Sequence, residues 1–269
     1  MNNFMRFLLS YFSLCRVWNA MFAAAVCVYS FFIIKNNYEI NYCDVIFLSL
    51  GVFFLVAFAN AHNDIIDFET DKINRPKRPL PSGYIKLKTA NIIAIKCVCL
   101  AIILGLISGF KFALLFAAVG ALSFVYNKFL KGLPLVGNLV VALLTTTPIA
   151  IPIVKFGLPQ PELFNLVFFA FMLTMAREIT KDIEDMPGDA TIGLKTFPVL
   201  HGINLSISLV FILEFQCLLM LAMLKPHAVL AVLPCLLLSA FFVWQKKWRL
   251  SQAMIKLAML AGLAIYALV

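Results

Sequence analysis

Nine apolar segments, roughly 12 to 34, 45 to 62, 91 to 109, 112 to 126, 134 to 154, 163 to 180, 204 to 224, 227 to 244 and 250 to 268, occupy most of the 269 residues. Several reach the ~20 residues that cross a hydrocarbon core, and the shorter ones can extend into their polar flanks. A backbone in lipid must satisfy its own hydrogen bonds, and the alternating pattern of a barrel strand is missing, so the segments read as helices. With 63% hydrophobic residues, 26 Phe and only 13% charged residues, the composition is not that of a soluble domain. The expected fold is all-α, a polytopic protein of nine transmembrane helices. Met1 to Ser10 lacks a short apolar core followed by a small-residue cleavage site, so the first apolar run is expected to be a retained helix.

Charge sets the expected orientation. With the N-terminus inside, Lys35, Lys111, Lys155 and Lys225 lie outside, and the other 18 of the 22 Lys and Arg lie on or near the cytoplasmic side. That asymmetry accounts for the net charge of +9 without a nucleic-acid partner. The seven cysteines are scattered, show no C-x-x-C spacing and read as apolar filler rather than metal ligands or disulfides.

The acidic residues are not scattered. Asp64, Asp67 and Asp71 are spaced D-x-x-D-x-x-x-D, and Asp182, Asp185 and Asp189 repeat that spacing 118 residues later. Each set follows a long apolar run, the second and the sixth. At 100° per residue, Asn63, Asp67 and Asp71 share one helical face, with Asp64 beside them. A carboxylate at mid-bilayer costs on the order of 2.5–3.5 kcal/mol even on a lenient scale, so such a cluster belongs in a wet cavity at the membrane surface, with cations. In the second set Glu178, Asp182 and Asp185 share a face, and Pro187-Gly188 is expected to stop the helix with Asp189 just beyond it. Both sets are expected to face the cytoplasm.

Cations stand beside both sets. Lys72 to Gly83 carries Lys72, Arg75, Lys77 and Arg78 together with three prolines, which predicts a rigid basic loop. Arg177 and Lys181 flank the second set, and Lys131 lies in the short basic stretch Tyr126 to Pro134. Hard divalent cations take carboxylate and phosphate oxygens while Arg and Lys hold the remaining phosphate oxygens, so the combination suits Mg²⁺ plus a diphosphate. An allylic diphosphate could then ionise in a water-poor, aromatic-rich chamber. Arg16 and Asn19, at i and i+3 near the start of the first helix, read either as a snorkelling pair or as site residues. Asn138 is a candidate wall residue. Glu214, a lone acid in the seventh apolar run, is either hydrogen-bonded within the bundle or functional.

The run Asn63-Asp64-x-x-Asp67-x-x-x-Asp71, followed by Asn74-Arg75-Pro76-x-Arg78-Pro79-x-Pro81-Ser82-Gly83, resembles the UbiA superfamily of intramembrane prenyltransferases, and Lys181-Asp182-x-x-Asp185-x-x-Gly188-Asp189 resembles its second motif. The resemblance covers nearly the whole chain. It implies a single prenyltransferase domain over residues 1–269, nine helices around a central cavity in two pseudo-repeats, and a prenyl group moved from a prenyl diphosphate to a lipophilic acceptor. It implies Mg²⁺ on Asp64, Asp67, Asp71, Asp182, Asp185 and Asp189, with Asp67, Asp71, Lys181, Asp182 and Asp185 carrying catalysis. Arg16, Asn19, Asn63, Arg75, Lys77, Arg78, Lys131 and Arg177 then bind substrates in an integral cell-membrane enzyme with no obligate protein partner.

Arg177 narrows the acceptor. Members acting on aromatic acids commonly have Tyr at that place, whereas Arg177-Glu178-Ile179-Thr180-Lys181-Asp182-Ile183-Glu184-Asp185 is similar to the digeranylgeranylglyceryl phosphate synthases, and an added cation suits a phosphate-bearing acceptor. The expectation is geranylgeranyl diphosphate as donor and geranylgeranylglyceryl phosphate as acceptor. The alternative is an aromatic acceptor of quinone synthesis, of 4-hydroxybenzoate or naphthoate type. A divalent-cation transporter would carry its acids near the midplane instead. A CDP-alcohol phosphotransferase would carry D-G-x-x-A-R, which is absent.

Overall fold

A computed structural model describes residues 3–157, 160–191 and 193–268, and among them there is no strand. The helices are α1 (Asn3–Leu14), α2 (Val17–Ile33), α3 (Tyr42–Ile66), α4 (Phe68–Asn74), α5 (Leu87–Ser108), α6 (Phe110–Val125), α7 (Val136–Phe156), α8 (Pro161–Thr191), α9 (Phe197–His201), α10 (Ile203–Leu224), α11 (Pro226–Trp244) and α12 (Trp248–Leu268). A π-helical turn, Tyr126–Leu130, follows α6. Among the described residues seven helices are long and apolar enough to cross a membrane: α3, α5, α6 with its π-turn, α7, α8, α10 and α11. α2 is apolar but shorter, and α12 carries Arg249, Ser251, Gln252 and Lys256 along its length.

The chain forms two compact units, residues 1–129 and 130–269. In the first, α3 packs against α2, α5 and α6; in the second, α8 packs against α7, α10 and α12. A shift of 118 residues, the interval between the two aspartate sets, lays α2, α3, α5 and α6 onto α7, α8, α10 and α11 to within a few residues. The duplication read from the acids therefore extends to four helices, and α12 is left without a counterpart in the first unit. Close packing at each central helix relies on glycine. A Cβ on Gly51 of α3 would run into the Phe116 ring of α6, and one on Gly262 of α12 would run into the Phe169 ring of α8. Small residues let helices approach where lipid supplies no hydrophobic drive.

Two sequence expectations are corrected. The apolar run 12 to 34 is not one helix, because the chain breaks at Arg16, whose φ of 44° and ψ of 56° lie in the left-handed region. This residue caps α2 rather than lying inside it, which destroys the i, i+3 relation to Asn19 within a helix. Pro187-Gly188 does not stop α8, which continues to Thr191 and includes Asp189. Proline removes one backbone donor, and a helix continues past it when neighbouring groups absorb the loss. Here the last turn is closed by Thr191 Oγ1 donating to the Gly188 carbonyl at 2.6 Å, and the Asp189 carbonyl accepts from Leu194 N at 3.0 Å.

Candidate active site

The first aspartate set spans a small interruption. α3 ends at Ile66, α4 begins at Phe68, and Asp67 joins them at φ −80° and ψ 5°. The backbone ladder nonetheless runs through, with Asp67 N bonded to Asn63 O at 2.9 Å and Asp71 N to Asp67 O at 2.8 Å. The carboxylates therefore keep their common face. Asp64 and Asp71 are buried, and one guanidinium nitrogen of Arg78 reaches both, at 3.1 Å and 2.5 Å. Arg16 donates to Asp64 at 3.0 Å and to Asn60 at 3.1 Å. The left-handed backbone at Arg16 is what turns this side chain toward α3. Such a conformation in a non-glycine residue costs on the order of 1–3 kcal/mol and persists where the surroundings hold it.

Amides behind the carboxylates support this set. Asn63 donates to Asp67 at 3.2 Å and to Asn127 of the π-turn at 3.5 Å. Asn127 is buried, donates to the Ala59 carbonyl at 3.3 Å and meets His62 Nδ1 at 3.1 Å. His62 is stacked between the rings of Phe58 and Phe124. Sequence reasoning does not single out Asn60, His62 and Asn127. The available signal is their polarity inside apolar runs, which the positive-inside reading of the Tyr126 to Pro134 stretch masks.

In the second unit, Asn138 of α7 donates to Asp182 of α8 at 2.7 Å. Thr196 Oγ1 reaches Asp189 at 3.4 Å, and Lys181, Lys131 and Asp185 all act electrostatically on Asp189. Arg177 pairs with its neighbour Glu178, and Lys181 Nζ stands 4.0 Å from the same carboxylate. Glu184 turns to α12, where it accepts from Arg249 at 2.6 Å and from Gln252 at 2.8 Å.

The structure thus gathers Arg16, Asn63, Asp64, Asp67, Asp71 and Arg78 in the first unit, and Lys131, Lys181, Asp182, Asp185 and Asp189 in the second. Asn19 is exposed. Arg75 and Lys77 are exposed too, and they line a cleft with Ser13, Pro76 and Arg78. Glu214 is buried and hydrogen-bonded within its unit, to Ser239 at 2.9 Å, which in turn meets Ser251 at 2.9 Å.

Among the described residues no three His, Cys, Asp or Glu side chains close a metal cage. The donors are instead a pair of carboxylates, Asp64 and Asp71, joined through one guanidinium. That donor set fits Mg²⁺, which uses one or two carboxylates, water and substrate phosphates.

The sequence profile of the UbiA prenyltransferase family matches residues 17–265. The chain belongs to this family. As a UbiA family member it is 41% identical, over 169 residues, to a digeranylgeranylglyceryl phosphate synthase of Methanobrevibacter smithii, a match covering 60% of this chain and 60% of the relative. The same fold is found in the solved structure of a digeranylgeranylglyceryl phosphate synthase, with a TM-score of 0.76 at 24% identity over 98% of this chain and 99% of that one. It is also found in a UbiA homolog from Archaeoglobus fulgidus bound to GPP and Mg²⁺, with a TM-score of 0.69 at 20% identity over 97% and 100% of the two chains.

Proposed function

We propose that this UbiA family member transfers a geranylgeranyl group from geranylgeranyl diphosphate to the free hydroxyl of geranylgeranylglyceryl phosphate, in a single domain of nine membrane helices built from both units. The observation that carries the reading is the Asp64–Arg78–Asp71 bridge. Hard carboxylate oxygens and a guanidinium within hydrogen-bond reach of one another are the two kinds of group a diphosphate–Mg²⁺ pair needs. The family's extent over residues 17–265 supports one domain, and the likeness to a digeranylgeranylglyceryl phosphate synthase supports the acceptor. Both acidic sets are assigned to the cytoplasmic side by the Lys and Arg asymmetry.

Mg²⁺, when bound, would neutralise charge on the departing diphosphate. It would be held by Asp64, Asp67 and Asp71 and by Asp182, Asp185 and Asp189. Arg16 and Arg78 orient the first carboxylates, and Asn138 orients Asp182. Arg78, with Arg75 and Lys77 of the same loop, would take phosphate oxygens, as would Lys131 and Lys181. The allylic C–O bond breaks with its electron pair going to the diphosphate, the acceptor hydroxyl oxygen bonds to the freed carbon, and the hydroxyl proton passes to the departing diphosphate. The aromatic-acceptor reading is the weaker one, because Arg177 stands where members acting on aromatic acids commonly have Tyr.

The test is transfer from radiolabelled geranylgeranyl diphosphate in detergent micelles with Mg²⁺, offering geranylgeranylglyceryl phosphate and 4-hydroxybenzoate in parallel. Labelled diether lipid, lost in Asp67→Ala, is the expected result. Labelled benzoate with no diether would overturn the acceptor assignment.

A further inference from the structure

The two units are alike in their acids and unlike in the cations one turn earlier. At the 118-residue shift, Arg177, Glu178 and Lys181 of α8 correspond to Ala59, Asn60 and Asn63 of α3. Asn60 and Asn63 are neutral and accept from Arg16, so in the first unit the cations at this level, Arg16 and Arg78, come from outside α3. The helix without a counterpart, α12, supplies the remainder of that cluster. Arg249 and Gln252 both grip Glu184, which lays the start of α12 antiparallel along the end of α8. That antiparallel register sets Lys256, one turn further, at the level of Arg177, Glu178 and Lys181 of α8, and all three act electrostatically on it. Gly262 and Phe169 pack the two helices closely two turns beyond.

Charge around this point does not balance. Arg177, Lys181 and Lys256 surround one buried carboxylate, Glu178. Lys181 also acts on Asp182 and Asp189, while the charged partners of Lys256 are Arg177, Glu178 and Lys181. A surplus of positive charge at the end of a helix that crosses lipid is costly unless an anion meets it. Lys256 itself is exposed.

We propose that Lys256, together with Arg177, forms the site for the phosphate of the acceptor, with Lys181 shared between that phosphate and the second aspartate set. The assignment rests on the glycerophosphate reading above. The duplicated aspartates hold the donor's metal, whereas Arg177 and α12, which have no counterpart in the first unit, recognise the acceptor. Glu178 holds Arg177 in place, and Glu184 holds α12 in register so that Lys256 stands one turn from Gln252.

The experiment measures steady-state transfer by the full chain and by Lys256→Met and Lys256→Arg, varying each substrate separately. The acceptors are geranylgeranylglyceryl phosphate, the phosphate-free geranylgeranylglycerol, and 4-hydroxybenzoate. Removing one charge-assisted hydrogen bond should raise the KM for the phosphate-bearing acceptor by roughly ten- to a hundredfold in Lys256→Met. The KM for geranylgeranyl diphosphate should move by less than about twofold, since an interaction made with one substrate alone appears in that substrate's KM. Lys256→Arg should restore most of the acceptor affinity, and the phosphate-free acceptor should not distinguish Lys256→Met from the unmodified chain. An unchanged donor KM reports that the variant is folded. If Lys256→Met leaves the acceptor KM unchanged, or raises donor and acceptor KM together, the assignment of Lys256 is overturned while the glycerophosphate reading stands. If the unmodified chain labels only 4-hydroxybenzoate, the glycerophosphate reading itself falls.

Discussion

Asn138 donates to Asp182 at 2.7 Å from α7 to α8, in the place where Arg16 meets Asp64 at 3.0 Å in the first unit. In the second unit α7 itself holds the first aspartate of the set with a neutral amide, and in the first unit the residue just before α2 does so with a guanidinium. The first unit thereby neutralises its leading carboxylate with Arg16 and Arg78, whereas the second orients Asp182 through the hydrogen bond from Asn138.

Replacing that amide by a carboxylate reverses the interaction. Asn138→Asp sets a like charge against Asp182, whereas Asn138→Leu only removes the donor. Transfer should fall by roughly tenfold or more in Asn138→Asp and by less in Asn138→Leu, because like charges in close proximity disfavour ionisation of both. Initial rates as a function of Mg²⁺ concentration check this, with Asn138→Asp requiring more Mg²⁺ for half-maximal rate.

Arg78 bridges two buried carboxylates, so its removal strands Asp71, while Asp64 keeps Arg16. Arg78→Ala should lower stability by about 3–5 kcal/mol in metal-free buffer, the usual cost of uncompensated buried charge. Added Mg²⁺ should recover part of that loss by standing in for the guanidinium. Thermal unfolding in detergent, with EDTA and with Mg²⁺, gives both numbers. The unmodified chain, whose carboxylates already have partners, should lose transfer in EDTA with little change in Tm.

The Glu214–Ser239–Ser251 chain joins α10, α11 and α12 away from the aspartates. Ser239→Ala deprives a buried carboxyl oxygen of its donor, and such an orphan costs about 1–3 kcal/mol. The variant should melt earlier than the parent and transfer at the parental rate once folded. Loss of transfer at temperatures where it remains folded would give this chain a direct part in the reaction.

Orientation can be read from existing thiols. Cys43 is exposed at the first turn of α3, just after the Lys35 segment assigned to the outside. A membrane-impermeant maleimide should label Cys43 on intact cells, while Lys77→Cys, beside the basic cleft, should react only after permeabilisation. The reverse pattern would place the aspartates on the outer side.

The duplicated spacing of Asp64, Asp67 and Asp71 with Asp182, Asp185 and Asp189 and the nine apolar runs are legible without coordinates, because periodicity and charge are local properties of a chain. Most residues of each run lie in helices, although the first run is broken at Arg16, and among the described residues seven helices are long and apolar enough to cross a membrane. Three things are not legible. Arg16 reads as a helical residue in an apolar run, and only packing against α3 holds it in a left-handed conformation aimed at Asp64. Pro187-Gly188 reads as a stop, yet α8 continues to Thr191, because a proline's missing donor is a local cost that the surrounding structure can outweigh. Lys256 reads as one cation in an apolar stretch, 75 residues after Lys181. Its place beside Arg177 and Lys181 depends on how α12 docks on α8, and no local pattern encodes that docking. Helix identity and the acidic motifs were thus determined by the sequence itself, whereas the partners of each carboxylate were decided by tertiary packing, since a hydrogen bond across helices depends on their register and not on the spacing within either one.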